Sequence, residues 1–142
     1  MNAVDISFSG LDVEWRRLEV IAQNLANINA TRDENGRVYQ PMRLVSGPGF
    51  SDTLAAQGAG VRFTGVGSHI VAIEPQSNGV RRAFEPHNPD ADADGYVSYP
   101  NIDQAAEMTL MLRASRAYEA NLAAVSMAQD MYRSALDLGR RS

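Results

Sequence analysis

Apolar and small residues recur along the last third of the chain at Met108, Met111, Ser115, Tyr118, Leu122 and Val125, then at Tyr132 and Leu136, with polar Gln129 at the one missing step. The steps alternate three and four, the period of a helix stripe that packs into a partner helix. A second column, Ala114, Asn121, Ala128 and Ala135, runs beside it and widens the face with small residues. No Gly or Pro falls between Asn101 and Leu138. The pattern predicts one helix of about 38 residues, a rod of roughly 57 Å. Asn101, just after Pro100, is the expected N-cap, with Asp103 and Glu107 favourably placed near the positive end of the helix dipole. Gly139, Arg140 and Arg141 are expected to close the run. Such a rod is too long for the core of one small chain, so much of its face is expected to pack on something else.

The first segment carries a matching stripe. Val4, Phe8, Leu11, Trp15, Leu18, Ala22 and Leu25 step four, three, four, three, flanked by Ile21 and Ile28. A helix over about Asp5 to Asn29 follows, with Gly10 weakening its first turns and Asp12–Arg16 spaced as an i,i+4 pair. Trp15 reads as a core or interface anchor.

The middle has a different texture. All six prolines and nine of the eleven glycines lie between Thr31 and Pro100. Asn35-Gly36 signals a turn ahead of a strand over Val38–Val45, which Pro41 pushes to an edge and Ser46-Gly47-Pro48-Gly49 breaks. A small-residue loop spans Gln57 to Gly60. Val61 to Thr64 alternates, and His69 to Ile73 reads as a strand ended by Pro75. Asn78-Gly79 is a second turn signal, with Val80 to Phe84 extended behind it. Three to five short strands are expected.

The fold expected is mainly α with a small β lobe. The N-terminal helix (1–30) and the C-terminal helix (101–142) pair as an antiparallel coiled coil, with the β-rich, loop-containing lobe (31–100) inserted between them. About seven stripe residues per helix, at roughly 1.5–3 kcal/mol each, stand against a backbone ordering cost of roughly 1–2 kcal/mol per residue. The end helices are therefore expected to be marginal alone and completed by neighbouring copies or partners.

Composition mostly removes options. The net charge is −4 without a basic block, which argues against nucleic acid as a partner. No run of 18 apolar residues and no signal-like n-region occur, so neither a membrane span nor a cleaved signal peptide is expected. There is no Cys, and all 13 basic residues are Arg. Thiol nucleophiles, thiolate metal sites and Schiff-base lysines are excluded, and no cofactor is called for. Asp90-Ala-Asp92-Ala-Asp94-Gly95-Tyr96-Val97 matches the first half of an EF-hand loop, but its twelfth position is Asn101 and no helix can enter through Pro86-His87-Asn88-Pro89. A solvated acidic turn with Gly95 at positive φ is the plainer reading, and a calcium-binding module the alternative. Asp103 and Glu107, with His87, form the one set resembling hydrolytic chemistry; capping and dipole account for both carboxylates without it. Asn29-Ala30-Thr31 is a formal glycosylation sequon of a kind common by chance.

Ala22-Gln23-Asn24-Leu25-Ala26-Asn27, followed by Thr31, resembles the Asn-Leu-Ala-Asn signature of the bacterial flagellar rod, hook and hook-filament family. Residues 84–121, FEPHNPDADADGYVSYPNIDQAAEMTLMLRASRAYEAN, resemble the longer pattern Pro-x-Asn-Pro, Ala-Asp, Gly-Tyr-Val, Pro-Asn-(Val/Ile)-Asp, Glu-Met, Arg-x-Tyr-(Glu/Gln)-Ala-Asn of its short proximal-rod members. The resemblance implies a structural subunit of the basal-body rod that assembles helically and transmits torque from motor to hook. Implied partners are copies of itself, other rod proteins, adaptors joining rod to export gate, and the type III apparatus that exports it to the periplasmic rod without a cleaved signal. It makes Leu11, Trp15, Leu18, Asn24, Leu25 and Asn27, then Asn101, Met108, Met111, Arg116, Tyr118, Glu119, Asn121, Leu122, Val125 and Tyr132, the expected subunit-contact residues. Asn24 and Asn27 are expected to satisfy backbone groups freed at the helix end. A soluble coiled-coil adaptor is the nearest structural rival.

Overall fold

A computed structural model describes residues 3–32, 36–48 and 67–140. Helix α1 (Ala3–Ala26) is followed by strands β1 (Met42–Pro48), β2 (Ser68–Pro75), β3 (Val80–Phe84) and β4 (Tyr96–Pro100), then helix α2 (Gln104–Gly139). The fold is mixed: two helices and two antiparallel two-stranded sheets, β1–β2 and β3–β4. Asn35, Gly49, the loop expected over Gln57 to Gly60, the alternating stretch Val61 to Thr64 and Arg141 lie outside the described residues.

The helices pack on each other. Asn24 reaches Glu107, the Trp15 ring lies 6.1 Å from that of Tyr118, Gly10 abuts Asn121, and Val4 and Asp5 share a groove with Ala128 and Tyr132. These contacts run in opposite order along the two helices. With 24 residues, α1 is about 36 Å long, while the 36 residues of α2 reach about 54 Å. The difference is an overhang: residues 134–139 of α2 are all exposed.

A second side of α1 packs on β1 and β2, where Val13, Val20 and Leu44 are buried with Met42, Ile70 and Ile73 around them. The deep face of α1 is therefore not the stripe expected from the sequence. Gly10, Leu11, Val13, Val20, Ile21 and Asn24 are buried, whereas Phe8 is 52% and Trp15 54% exposed. A helix with neighbours on two sides needs two apolar faces, and Val13 and Val20 serve the one towards the strands.

Other boundaries also shift. Asp103, not Asn101, caps α2: its Oδ1 accepts from the N–H groups of Ala105 and Ala106 at 3.0 and 3.2 Å. The Asn101 amide is used elsewhere, donating to the Asn78 carbonyl at 2.8 Å. Gly139 stays helical and Arg140 is the C-cap, with φ −85°. Arg16 pairs with Glu19 at 2.6 Å rather than with Asp12. β1 starts only after Pro41, which has no N–H to give a ladder. It continues through Ser46-Gly47-Pro48 by means of a register shift at Val45/Ser46, so that stretch bends the strand instead of breaking it. β3 spans the expected residues, and Gly79 and Gly95 adopt φ of 71° and 82°.

Candidate subunit-contact surface

Near the C-terminal end of α1 the chain turns on Asn24, which is 1% exposed. Its Nδ2 donates to the Met42 carbonyl at 2.9 Å and its Oδ1 accepts from the Met42 N–H at 2.9 Å. The amide thus pairs with both polar groups of one strand residue, as a neighbouring strand would, and closes the free edge of β1 there. The Tyr39 hydroxyl donates to the same Oδ1 at 3.1 Å, and Nδ2 also donates to Glu107 Oε2 at 3.3 Å. Gln76 Nε2 adds a second donor to the Met42 carbonyl at 3.1 Å. Three segments, α1, residues 39–42 and the start of α2, meet at one side chain, and every buried polar atom in it has a partner. Burial, and secondarily the negative charge of Glu107, raises the Tyr39 phenol pKa above its ordinary value.

Asn24 therefore does not serve the freed end of its own helix. Asn27 does, donating from Nδ2 to the Gln23 carbonyl at 2.8 Å. Glu107, expected near the positive end of the helix dipole, does stand in the first turn of α2 and is buried there. Tyr39, Gln76 and the Met42 backbone escaped the sequence reading. The available signal was the spacing Gly10, Val13, Arg17, Val20, Asn24, which puts a polar residue on the face of α1 that meets the strands.

The acidic loop is committed to its own turn. Asp92 Oδ1 accepts from the N–H groups of Asp94 and Tyr96 at 3.1 and 2.8 Å, and Oδ2 accepts from Arg82. The Tyr96 N–H first, and the Arg82 hydrogen bond and charge with it, hold this carboxyl below the usual carboxylate value. Asp90 is turned to Thr31 and Arg32. Among the described residues no cluster of three or more His, Asp or Glu is arranged to hold a metal ion. The hydrolytic set is dispersed too. Asp103 caps α2, Glu107 is buried on Asn24, and His87 is exposed in the β3–β4 turn.

The remaining expected contact residues sort by side. The inward face of α2 lies between the two columns seen in the sequence. It takes Met111, Tyr118 and Val125 from one, and Ala114, Asn121 and Ala128 from the other, all buried or half-buried. Met108 (56% exposed) and Leu122 (53%) are exposed, with Arg116 and Glu119, while Tyr132, which still lines the groove with Val4 and Asp5, and Leu136 are exposed where α2 runs past the end of α1. On α1, Leu11 is buried, Leu18, Leu25 and Asn27 are half-buried, and Trp15 rests on Tyr118 while half its surface stays open. Asn101 is exposed at the start of α2. What the helix pair presents to solvent is thus a discontinuous apolar flank: Phe8 and Trp15 on one helix, Met108 and Leu122 on the other, then the overhang of α2. No helix among the described residues is long and apolar enough to cross a membrane.

The family model described as the flagellar basal body rod FlgEFG protein C-terminal region matches residues 93–138, from three residues before β4 to one residue short of the end of α2. Across nearly the whole chain, the flagellar basal-body rod protein FlgC of Bacillus subtilis is 33% identical over 146 residues, covering 98% of this chain and 97% of its own. FlgC of Salmonella typhimurium is 34% identical over 140 residues, covering 99% and 98%. The chain belongs to the FlgC family of flagellar basal-body rod proteins. FlgC of Borreliella burgdorferi is 31% identical over 149 residues, covering 95% of this chain and 94% of its own. The FlgC family is structural, so the chain is a component of the basal-body rod and not an enzyme. The Asn-Leu-Ala-Asn element of this FlgC-family chain holds the Asn24 junction described above.

Proposed function

We propose that this chain is a proximal-rod subunit that assembles helically with copies of itself and with other rod proteins, and that the rod so formed carries torque from motor to hook. The single observation that carries the reading is the outward apolar flank. Phe8, Trp15, Met108, Leu122, Tyr132 and Leu136 lie on the two heptad-like stripes yet remain exposed in the isolated chain. Stripes of this period are made to pack on further helices. In this reading residues 1–30 and 101–142 form a coiled-coil core, residues 31–100 an inserted lobe, and the exposed stripe residues with Arg116 and Glu119 the contacts between subunits. A layer of packed helices gives the stiff, repeated lateral contacts that a shaft under torque needs. The location follows as the periplasmic part of the basal body, reached through the type III export apparatus without a cleaved signal, with rod-to-export-gate adaptors among its neighbours.

The test is complementation of a strain lacking this subunit with Leu122→Asp. The expected outcome is a helical, normally melting protein that restores neither rods nor swimming. Normal rods built from it would remove the flank from the assembly.

A further inference from the structure

Ribbon β3–β4 makes no backbone approach to either helix or to the β1–β2 sheet among the described residues. Its attachment is through loops and through the packing that leaves Val97 only 1% exposed. At one end, where Val80 pairs with Pro100, the chain enters through Gln76–Gly79 and leaves through Asn101–Asp103. The two passages are tied by the Asn101 Nδ2 hydrogen bond to the Asn78 carbonyl, 2.8 Å. Gln76 is fixed to the body through Pro41 and Met42, and Gly79, at φ 71° with open space where a Cβ would stand, follows it. That is the make-up of a hinge, in which a few terminal residues absorb backbone rotation.

The opposite end, the turn from Glu85 to Gly95, meets the segment that leaves α1. Thr31 Oγ1 donates to Asp90 Oδ2 at 2.6 Å, and Arg32 Nε lies 3.9 Å from Asp90 Oδ1. Asp90 is itself set by Asn88, whose Oδ1 accepts the Asp90 N–H at 3.0 Å. The ribbon between hinge and turn is internally braced. Phe84 and Tyr96 pack edge to face at 5.2 Å, Arg82 stacks over Tyr96 at 4.8 Å, and the Tyr99 hydroxyl donates to Glu85 at 3.0 Å.

We propose that β3–β4 with its turn is a rigid arm, hinged at Asn78/Asn101 and latched at its far end by Asp90 against Thr31 and Arg32, so that this latch, with the packing that buries Val97, sets the angle between the β3–β4 lobe and the helix pair. Asp90 is then the member of the acidic run with a long-range task, whereas Asp92 builds the local turn. The arm bends as a unit when the latch opens.

Amide hydrogen exchange on the full chain tests this with Thr31→Val, Thr31→Ser and Asp90→Ala. Thr31→Val and Asp90→Ala should speed exchange in residues 27–32 and 85–95 by about five- to tenfold, the size of one lost hydrogen bond. The ladder amides of β3 and β4, and those of α1 and α2, should stay as protected as before. Thr31→Ser keeps the hydroxyl and should exchange as the parent does. Unchanged exchange at 27–32 and 85–95 in both Thr31→Val and Asp90→Ala would overturn the latch. Loss of the β3–β4 ladder or of helix protection in step with the turn would overturn the arm as a separate unit. Neither outcome depends on whether the chain assembles into a rod.

Discussion

Asn24 Nδ2 is shared between the Met42 carbonyl at 2.9 Å and Glu107 Oε2 at 3.3 Å, so one amide joins the end of α1 both to β1 and to the first turn of α2. Both of its acceptors belong to groups that need a donor there. Asn24→Ala removes that donor and also strands the Met42 N–H and the Tyr39 hydroxyl. A loss of about 2–4 kcal/mol in chemical unfolding is expected, since buried groups left unpaired cost about 1–3 kcal/mol each. Asn24→Asp should be worse at neutral pH, because it sets a second carboxylate against Glu107. Adding Glu107→Gln should recover part of that extra loss but none of the loss in Asn24→Ala. Equal stability of Asn24→Asp and Asn24→Ala would mean that Glu107 does not sense the site.

Gly10 gives a second prediction. A Cβ there would sit 2.8 Å from Asn121 Nδ2, so any side chain at this position must displace the Asn121 amide. In the parent, Gly10→Ala should lower stability or leave it unchanged, although Ala gains about 1 kcal/mol in helix propensity. In an Asn121→Ala background the same change should stabilise by about 0.5–1 kcal/mol. The double-mutant cycle reads the coupling directly.

The two turn glycines of the ribbon should differ. Both have positive φ, but a Cβ at Gly95 would meet Phe84 at 3.0 Å and Pro86 at 3.2 Å, whereas Gly79 faces open space. Gly79→Ala should cost about 1 kcal/mol, the left-handed backbone penalty alone. Gly95→Ala should cost more, and thermal melts of the two variants check the order.

Tyr39 makes the junction sensitive to alkali. Its pKa is raised in the folded chain, by burial first and by Glu107 second. A raised folded pKa means that the neutral phenol's contribution is complete below the ordinary tyrosine value of 10.0 and is lost as pH climbs through the folded value. Stability should therefore fall above pH 10 with a component absent from Tyr39→Phe, a variant that is already weaker at neutral pH through loss of its bond to Asn24. Phenolate absorbance, followed with pH, should show one tyrosine fewer titrating late in that variant.

How far the sequence reached depended on the kind of residue. The long helix was legible from its three-four periodicity and its lack of Gly and Pro. The β3 strand was legible from Asn78-Gly79 ahead of it. Which side of each helix goes inward was not, because α1 serves two neighbours and its apolar residues spread over more than one stripe. Phe8 and Trp15 obey the period as well as Leu11 does. Only the positions of Val13, Val20 and Asn24 relative to β1 decide between them, and that contact is non-local. The N-cap failed for a similar reason: Asn101 and Asp103 are both good caps by type, and the long-range bond from Asn101 to Asn78 leaves the task to Asp103. The hub at Asn24 was visible as a motif, but its partners Tyr39, Met42 and Glu107 come from segments far apart in the chain.

The central claim is that the outward flank of the helix pair is covered in the rod. Because the chain has no Cys, a single Leu122→Cys gives a unique reporter at a position 53% exposed in the isolated chain. Its maleimide labelling should be fast in the purified subunit and at least tenfold slower in isolated basal bodies, as expected of a residue taken from water into a packed interface. Equal labelling in the two would contradict the account.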